Sequence, residues 1–283
     1  DGKKYKTHLI PSGIFYGIPS IIGPGCVVNS DALFAELKYL RDNGFDSSLV
    51  KVSPKAHIIT DRHIEYDRKN LAGRLGTTSK GIAPCYSAKA ARTGIRAKDI
   101  LNPMLLWDEV LTGNILCEGA QGIWLDLDHG NYPYVTSSTT LPYAACSLGF
   151  PSQKIRHIYG AAKIYDTRSG TDPEFPESLL LDPILSQIAE AGEEFGVTTG
   201  RPRKCKWLNL TKLIKAINMT GTTRLVISKC DILEKVGVYK LEMNGEELTF
   251  KTLKLMTDTI RESIVSQCPS VEDIRFSFDP FKI

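Results

Sequence analysis

The amino-acid sequence predicts an α/β protein, largely one domain, in which a sheet is covered by helices on both faces. Three observations carry this. Four segments repeat apolar residues at helical spacing, at 30–43, 184–195, 209–219 and 252–267. Between them lie short apolar, β-prone runs without strict alternation, the pattern of strands buried on both sides. The segment 238–250 holds two such runs that meet at Asn244-Gly245 and reads as a hairpin.

In chain order, Leu33, Phe34, Leu37 and Leu40 fall on one helical face, and Asn29-Ser30-Asp31 supplies the N-cap. Strand-like runs follow at 115–117 and 155–164. Ile184, Leu185 and Ile188 mark the second helix, and Leu210, Leu213, Ile214 and Ile217 the third. A strand at 225–228, the hairpin, a helix carrying Leu253, Met256, Ile260 and Ile264, and a strand at 274–278 complete the order. No internal repeat, low-complexity block or long linker divides the 283 residues.

Composition narrows the classes. Hydrophobic residues make up 42%, charged residues 24% and aromatic residues 8%, which excludes a fibre, a coiled coil or a disordered tail. A net charge of +3 does not make nucleic acid a partner. No apolar run approaches the roughly 18 residues of a membrane helix, so no membrane partner is expected. Seven cysteines, odd in number and never in CxxC spacing, argue for a reducing, cytoplasmic compartment and mostly for core positions. The start, DGKKYKTHLIPSG, has no initiator methionine and no apolar signal region, and the chain is expected to be incomplete at its N-terminus.

Four segments carry chemistry. GRLGTTSKGIAPCY (73–86) packs glycines, hydroxyls and a lysine ahead of a helical stretch, which suits an anion cradle or a flexible surface loop. It lacks the Walker A order. Lys89, Arg92 and Arg96 follow near helical spacing, by themselves a solvated basic face. In CEGAQGIWLDLDHGNYPYVTSS (117–138), Gln121 offers a carboxamide that both donates and accepts, as a purine edge requires. Asp126, Asp128 and His129 read as a strand end and turn with a structural His129, not as metal ligands. VTTGRPRKCKWLNLTK (197–212) holds Arg201, Arg203, Lys204 and Lys206, whose arginine forks suit carboxylates and phosphates better than a nucleic acid. SKCD (228–231), after a strand-like run, places Lys229 and Asp231 as in the guanine-reading motif of GTP-binding proteins.

Together with HLIPSGI (8–14), ARTGIR (91–96) and KCDIL (229–233), these stretches resemble adenylosuccinate synthetase, in order, from about His8 to Leu233. The resemblance implies a large, central, mostly parallel sheet flanked by helices with small hairpin additions, related to the P-loop NTPases. It implies a single synthetase-like domain over 1–283 that lacks part of its N-terminus. It also implies a purine-biosynthesis ligase that joins L-aspartate to position 6 of a purine nucleotide after a nucleoside triphosphate phosphorylates the 6-oxygen. By motif, Thr78 would bind the nucleotide's 5′-phosphate, and Arg92 would reach that phosphate across a homodimer interface. Gln121 would meet the 6-oxygen and stabilise the 6-phosphoryl intermediate. Thr136 and Arg201 would help hold the nucleotide. Val197, Thr198, Thr199, Gly200, Arg201 and Arg203 would close over the aspartate carboxylates. Arg203, Lys229, Cys230 and Asp231 would face the triphosphate.

Three departures qualify the resemblance. The family's GDEGKGK and GHNAGHT segments, which carry the catalytic aspartate and histidine and most magnesium contacts, should precede His8; the Mg2+ ligands are thus expected upstream of residue 1. Where the family reads RVGAGPFPTE, this chain reads RSGTDPEFPES (168–178), and GTTSKGIAP replaces GTTGRGIGP. Both changes resemble the phage branch, succino-2-amino-2′-deoxyadenylate synthase, which uses dGMP instead of IMP; the compartment would then be a host cytoplasm. Finally, SFDPF (277–281) stands near the end in place of the family's STGP, which leaves ATP and GTP both open as co-substrate. An ordinary IMP- and GTP-using synthetase and a non-catalytic nucleotide-binding paralogue are the alternatives.

Overall fold

In the computed structural model, which describes residues 3–107, 109–196 and 200–282, contacts divide the chain into two units, Asp1–Ser152 and Gln153–Ile283. Each has its own core.

The first unit begins with two short strands, β1 (Ser20–Ile22) and β2 (Val27–Val28), and then helix α1 (Ser30–Asp42). Asn29 caps α1 as expected, its Oδ1 accepting from the Ala32 amide at 2.8 Å. Leu33, Leu37 and Leu40 are buried, whereas Phe34, expected on the same face, is exposed: it lies at the margin of the stripe that the other three define. Strands β3 (Val50–Val52) and β4 (His57–Ile58) pair in parallel with β1 and β2 respectively. Ile10, Ile14, Ile22, Val50 and Val52 close with α1 into one core. A helical stretch follows as α2 (Asp61–Tyr66), a π-helical turn (Asp67–Leu71) and α3 (Ala72–Leu75), and then α4 (Ile82–Ala91). The described residues of 107–122 form no helix or strand, so the strand expected at 115–117 is not made. A strand needs a neighbour for its amides and carbonyls, and this stretch instead lies largely in solvent.

The second unit contains β5 (Tyr159–Lys163), β6 (Tyr165–Arg168), α5 (Pro183–Ala191), β7 (Lys204–Asn209), α6 (Leu210–Thr220), β8 (Arg224–Ser228), α7 (Cys230–Val236), β9 (Tyr239–Met243), β10 (Glu246–Phe250), α8 (Leu253–Gln267) and β11 (Asp273–Phe276). A parallel sheet runs in the order β11-β8-β5. A mixed sheet runs β10-β9-β7-β6, with β7 and β9 parallel. The hairpin turns at Asn244-Gly245, both at positive φ, as the sequence predicts. Met256, Ile260 and Ile264 of α8 and Leu210 and Ile217 of α6 are buried against these sheets. Helix α5 stops at Ala191, four residues before the expected end, because Gly192 and then Glu193 at φ 50 turn the chain. Parallel sheets flanked by helices with a small hairpin addition are what the sequence leads one to expect. Among the described residues no helix is long and apolar enough to cross a membrane. Cys85, Cys205, Cys230 and Cys268 are buried, while Cys26 and Cys117 are exposed.

Candidate active site

In the first unit, the π-helical turn after α2 places Asp67, only 2% exposed, beneath the glycine-rich loop. Its Oδ1 accepts from Thr77 Oγ1 at 2.6 Å and its Oδ2 from the Gly81 amide at 2.8 Å. Gly81 has φ 74, and a Cβ there would sit 2.8 Å from the Ile64 nitrogen, so only glycine lets the loop close this tightly. The loop is thereby held, not free, and it leaves Thr78 exposed just before α4 begins. Lys89 donates to the Pro24 carbonyl at 3.0 Å, a structural contact within the basic face. Arg92 caps the other end of α4 at φ 64 and is exposed. Thr78 and Arg92 are therefore separated by a ten-residue helix of about 15 Å.

Gln121 is exposed at φ 61, a backbone region that side chains seldom occupy. The residues after it form a 3₁₀ turn, Ile123–Leu125, and a tight loop, not the expected strand end. Asp126 organises this loop. Its Oδ1 accepts from the amides of Asp128 (3.0 Å) and His129 (3.1 Å), and its Oδ2 from Thr139 Oγ1 (3.0 Å) and the Thr140 amide (2.6 Å). Burial pushes the Asp126 pKa up, but these bonds outweigh it and hold the carboxyl below its ordinary value. His129 is itself exposed, so the structural role expected of it belongs to Asp126. Thr136 is fixed by its amide, which donates to the Leu125 carbonyl at 2.7 Å.

The second unit gathers charge. Val197, Thr198 and Thr199 lie outside the described residues, but both ends of their loop are defined. The Gly196 amide donates to the Arg201 carbonyl at 2.8 Å, the Arg203 amide to the Glu194 carbonyl at 2.8 Å, and the Gly200 amide to the Gly196 carbonyl at 2.7 Å. Glu194, 1% exposed, accepts from Lys163 Nζ (2.7 Å), Tyr165 Oη (2.9 Å) and Arg203 Nη1 (3.0 Å). Burial pushes the Glu194 pKa up, yet the bonds from Lys163, Tyr165 and Arg203 bring it below its usual value. Burial lowers the Lys163 pKa, against the opposing pull of Glu194. Lys229, at φ 67 between β8 and α7, donates Nζ to the Gly192 carbonyl at 2.8 Å. Asp231 lies in the first turn of α7, 3.7 Å from Lys235. Cys230 is fully buried, its thiol pushed up to about 12 by burial and its amide donating to Ser277. Its side chain fills the core under α7.

Expected site residues thus cluster unevenly. Arg203 and Lys229 meet the 192–194 turn and Arg201 bonds to Gly196 beside it, while Thr78 and Arg92 stand at opposite ends of α4. Arg92, Gln121 and Lys229 are three of the six non-glycine residues described at positive φ, a conformation that persists only where something fixes it. Sequence reasoning missed Asp67, Lys163 and Glu194. The available signal for the last two was a lysine and a tyrosine two apart along a strand-like run, with a carboxylate beside the arginine-rich loop. Among the described residues no group of three or more His, Cys, Asp or Glu side chains could hold a metal ion.

The family described as adenylosuccinate synthetase matches residues 1–112 and 104–254. An adenylosuccinate synthetase of Listeria welshimeri is 35% identical, over 97% of this chain and 78% of its own length. One from a Geobacillus species is 36% identical, over 85% and 69%. Among solved structures, the fully ligated adenylosuccinate synthetase of Plasmodium falciparum superposes with a TM-score of 0.81 at 24% identity, covering 98% of this chain and 87% of that one. The cyanophage S-2L succinoaminodeoxyadenylate synthetase, bound to dGMP and dATP, gives a TM-score of 0.68 at 20% identity, covering 96% and 77%. At these identities the two structures speak to the fold.

Proposed function

The chain belongs to the adenylosuccinate synthetase family of carbon–nitrogen ligases, and from that premise we propose that it joins L-aspartate to C6 of dGMP, with ATP or GTP as phosphoryl donor. N1 of the purine gives up its proton to the medium as the γ-phosphoryl group moves to the 6-oxygen, and a nucleoside diphosphate leaves. The aspartate amine then attacks C6; the new C–N bond forms as the C6–O bond breaks, phosphate departs and the amine gives up its proton. Arg201 and Arg203 receive the aspartate carboxylates, whose planar geometry their guanidinium forks match. Gln121 donates to the 6-oxygen as charge develops on it. Thr78 and the loop amides hold the 5′-phosphate. Lys229 and Asp231 meet the base of the triphosphate. Arg92, a helix length from Thr78, serves the phosphate of a second subunit in a homodimer. Both units work as one synthetase-like domain in the cytoplasm.

The observation that carries the ligase reading is the arrangement of Arg203 and Lys229 about the 192–194 turn, beside Arg201. The preference for dGMP rests on the 168–178 segment. There Asp172, 5% exposed, faces Arg168 Nε at 3.4 Å and accepts from the Glu174 amide at 3.0 Å, and Glu174 pairs with Lys212. The family pattern has small residues in this stretch; here carboxylates shape it, and the 2-amino group of guanine is a donor that hypoxanthine lacks. The similarity at 35–36% identity to bacterial adenylosuccinate synthetases favours the second reading, IMP. The test offers dGMP and IMP separately to the protein as encoded, with aspartate, magnesium and mixed ATP and GTP, and follows succinylated product. Product from dGMP is expected. Product from IMP alone establishes the ordinary reaction, and nucleotide binding without product from either establishes a paralogue that binds without ligating.

A further inference from the structure

We infer that Glu194 is a positioning residue for the ligation proposed above: without touching substrate, its carboxylate fixes Arg203 and the base of the 196–200 loop. The inference rests on that reading for the identity of the anion that Arg203 meets, and on geometry for the rest.

Glu194 grips Arg203 twice, through its carbonyl on the Arg203 amide and through Oε2 on the guanidinium at 3.0 Å. Phe195 and Pro202 form an antiparallel bridge one step further along, and Gly196 and Arg201 the next. The loop therefore stands on a short two-stranded base whose register is set at residue 194. Lys163 Nζ bonds both carboxylate oxygens at 2.7 Å and Tyr165 Oη bonds Oε1; they come from β5 and β6, so the base is anchored to two strands. The turn before Glu194 tolerates no side chain at Gly192, because a Cβ there would run into the Tyr165 hydroxyl. Lys229 holds the carbonyl of that same Gly192 at 2.8 Å. One carboxylate thus faces two cations directly, with a third bonded two residues away. Removing its charge frees Arg203 from its anchor and leaves Lys163 and Arg203 to repel one another.

The test uses the full chain carrying Glu194→Gln, with Glu194→Asp as the conservative variant. Hydrogen exchange at the Gly196, Gly200 and Arg203 amides is read beside steady-state constants. In Glu194→Gln the Gly196 and Arg203 amides should exchange about tenfold faster or more, with α6 and β8 still protected. The KM for aspartate should rise about 10–100-fold while the nucleotide KM values stay within about twofold, since a small misplacement of a substrate-positioning group has effects of that size. Glu194→Asp should recover part of both. Unchanged exchange at Gly196 and Arg203 overturns the inference. So does a uniform loss of protection across β5, α6 and β8, or a fall in kcat with the aspartate KM unmoved, either of which marks a merely structural role. If Glu194→Gln does not fold, the double variant Lys163→Met/Glu194→Gln, which leaves no unpaired lysine, carries the same readouts. If the wild-type chain makes no product from either nucleotide, the functional reading fails, and amide exchange alone decides whether Glu194 positions Arg203.

Discussion

The two units hold their loops by different chemistry. In the first, Asp67 and Asp126 accept from amides and hydroxyls that lie 2 to 14 residues away. In the second, Glu194 accepts from Lys163, 31 residues distant, from Tyr165 at 29, and from Arg203. A carboxylate fed by nearby neutral donors makes a self-contained loop that folds with its own segment. A carboxylate fed by a lysine and a tyrosine from two strands and by an arginine makes a loop that depends on distant segments and carries surplus positive charge. Under the proposed function, the first arrangement would serve a phosphate and the second would serve carboxylates.

Four measurements would break or sharpen this contrast. Asp126→Ala should have the largest effect, about 3–4 kcal/mol of stability in urea denaturation, because four donors lose one shared, buried acceptor. A loss below about 1 kcal/mol would mean that the loop does not depend on its carboxylate. Arg201→Ala should lower kcat/KM for aspartate about 100-fold, or roughly 2.7 kcal/mol, with smaller changes in the nucleotide constants. Equal effects on both substrates would erase the division of labour between the units. Asp67→Asn, which keeps the shape but replaces one acceptor oxygen by a donor, should destabilise by about 1–2 kcal/mol and weaken nucleotide binding without altering the aspartate KM.

The smallest effect has the opposite sign. Burial pushes the Asp166 carboxyl up to about 6, against the Asn209 amide that donates to it at 2.9 Å. Its folded state holds a proton more tightly than the unfolded chain, so stability falls as pH rises from about 4 to 6. Asp166→Asn should therefore stabilise on the order of 1 kcal/mol at pH 7.5 and give almost nothing at pH 4. Asp126 and Glu194 are shifted downward instead. Their contributions are complete above the ordinary carboxylate range and are lost as pH falls through their folded values, so acid melts should register both loops.

Much of this was legible in the sequence, and the exceptions share a cause. Helices α1, α6 and α8 and the hairpin at Asn244-Gly245 follow from local periodicity, capping and turn chemistry, which act over a few residues. The run at 115–117 is β-prone, but pairing is a property of two segments, and none of the described residues pairs with it. The arginines of the site were visible because their chemistry is distinctive. Glu194 and Asp67 were not, because a buried carboxylate looks like a surface one until its donors arrive from elsewhere. The residues proposed to meet ligands were thus readable as candidates, and the buried carboxylates that bond to their neighbours were largely hidden.

The left-handed backbone at Arg92, Gln121 and Lys229 has a consequence for anyone who would engineer the chain. At each of these positions glycine or asparagine would relieve the conformational penalty that the present side chain carries. A library selected only for survival of heating should enrich such replacements at all three places, and its winners would be hardier proteins that had traded away the groups proposed to meet the ligands.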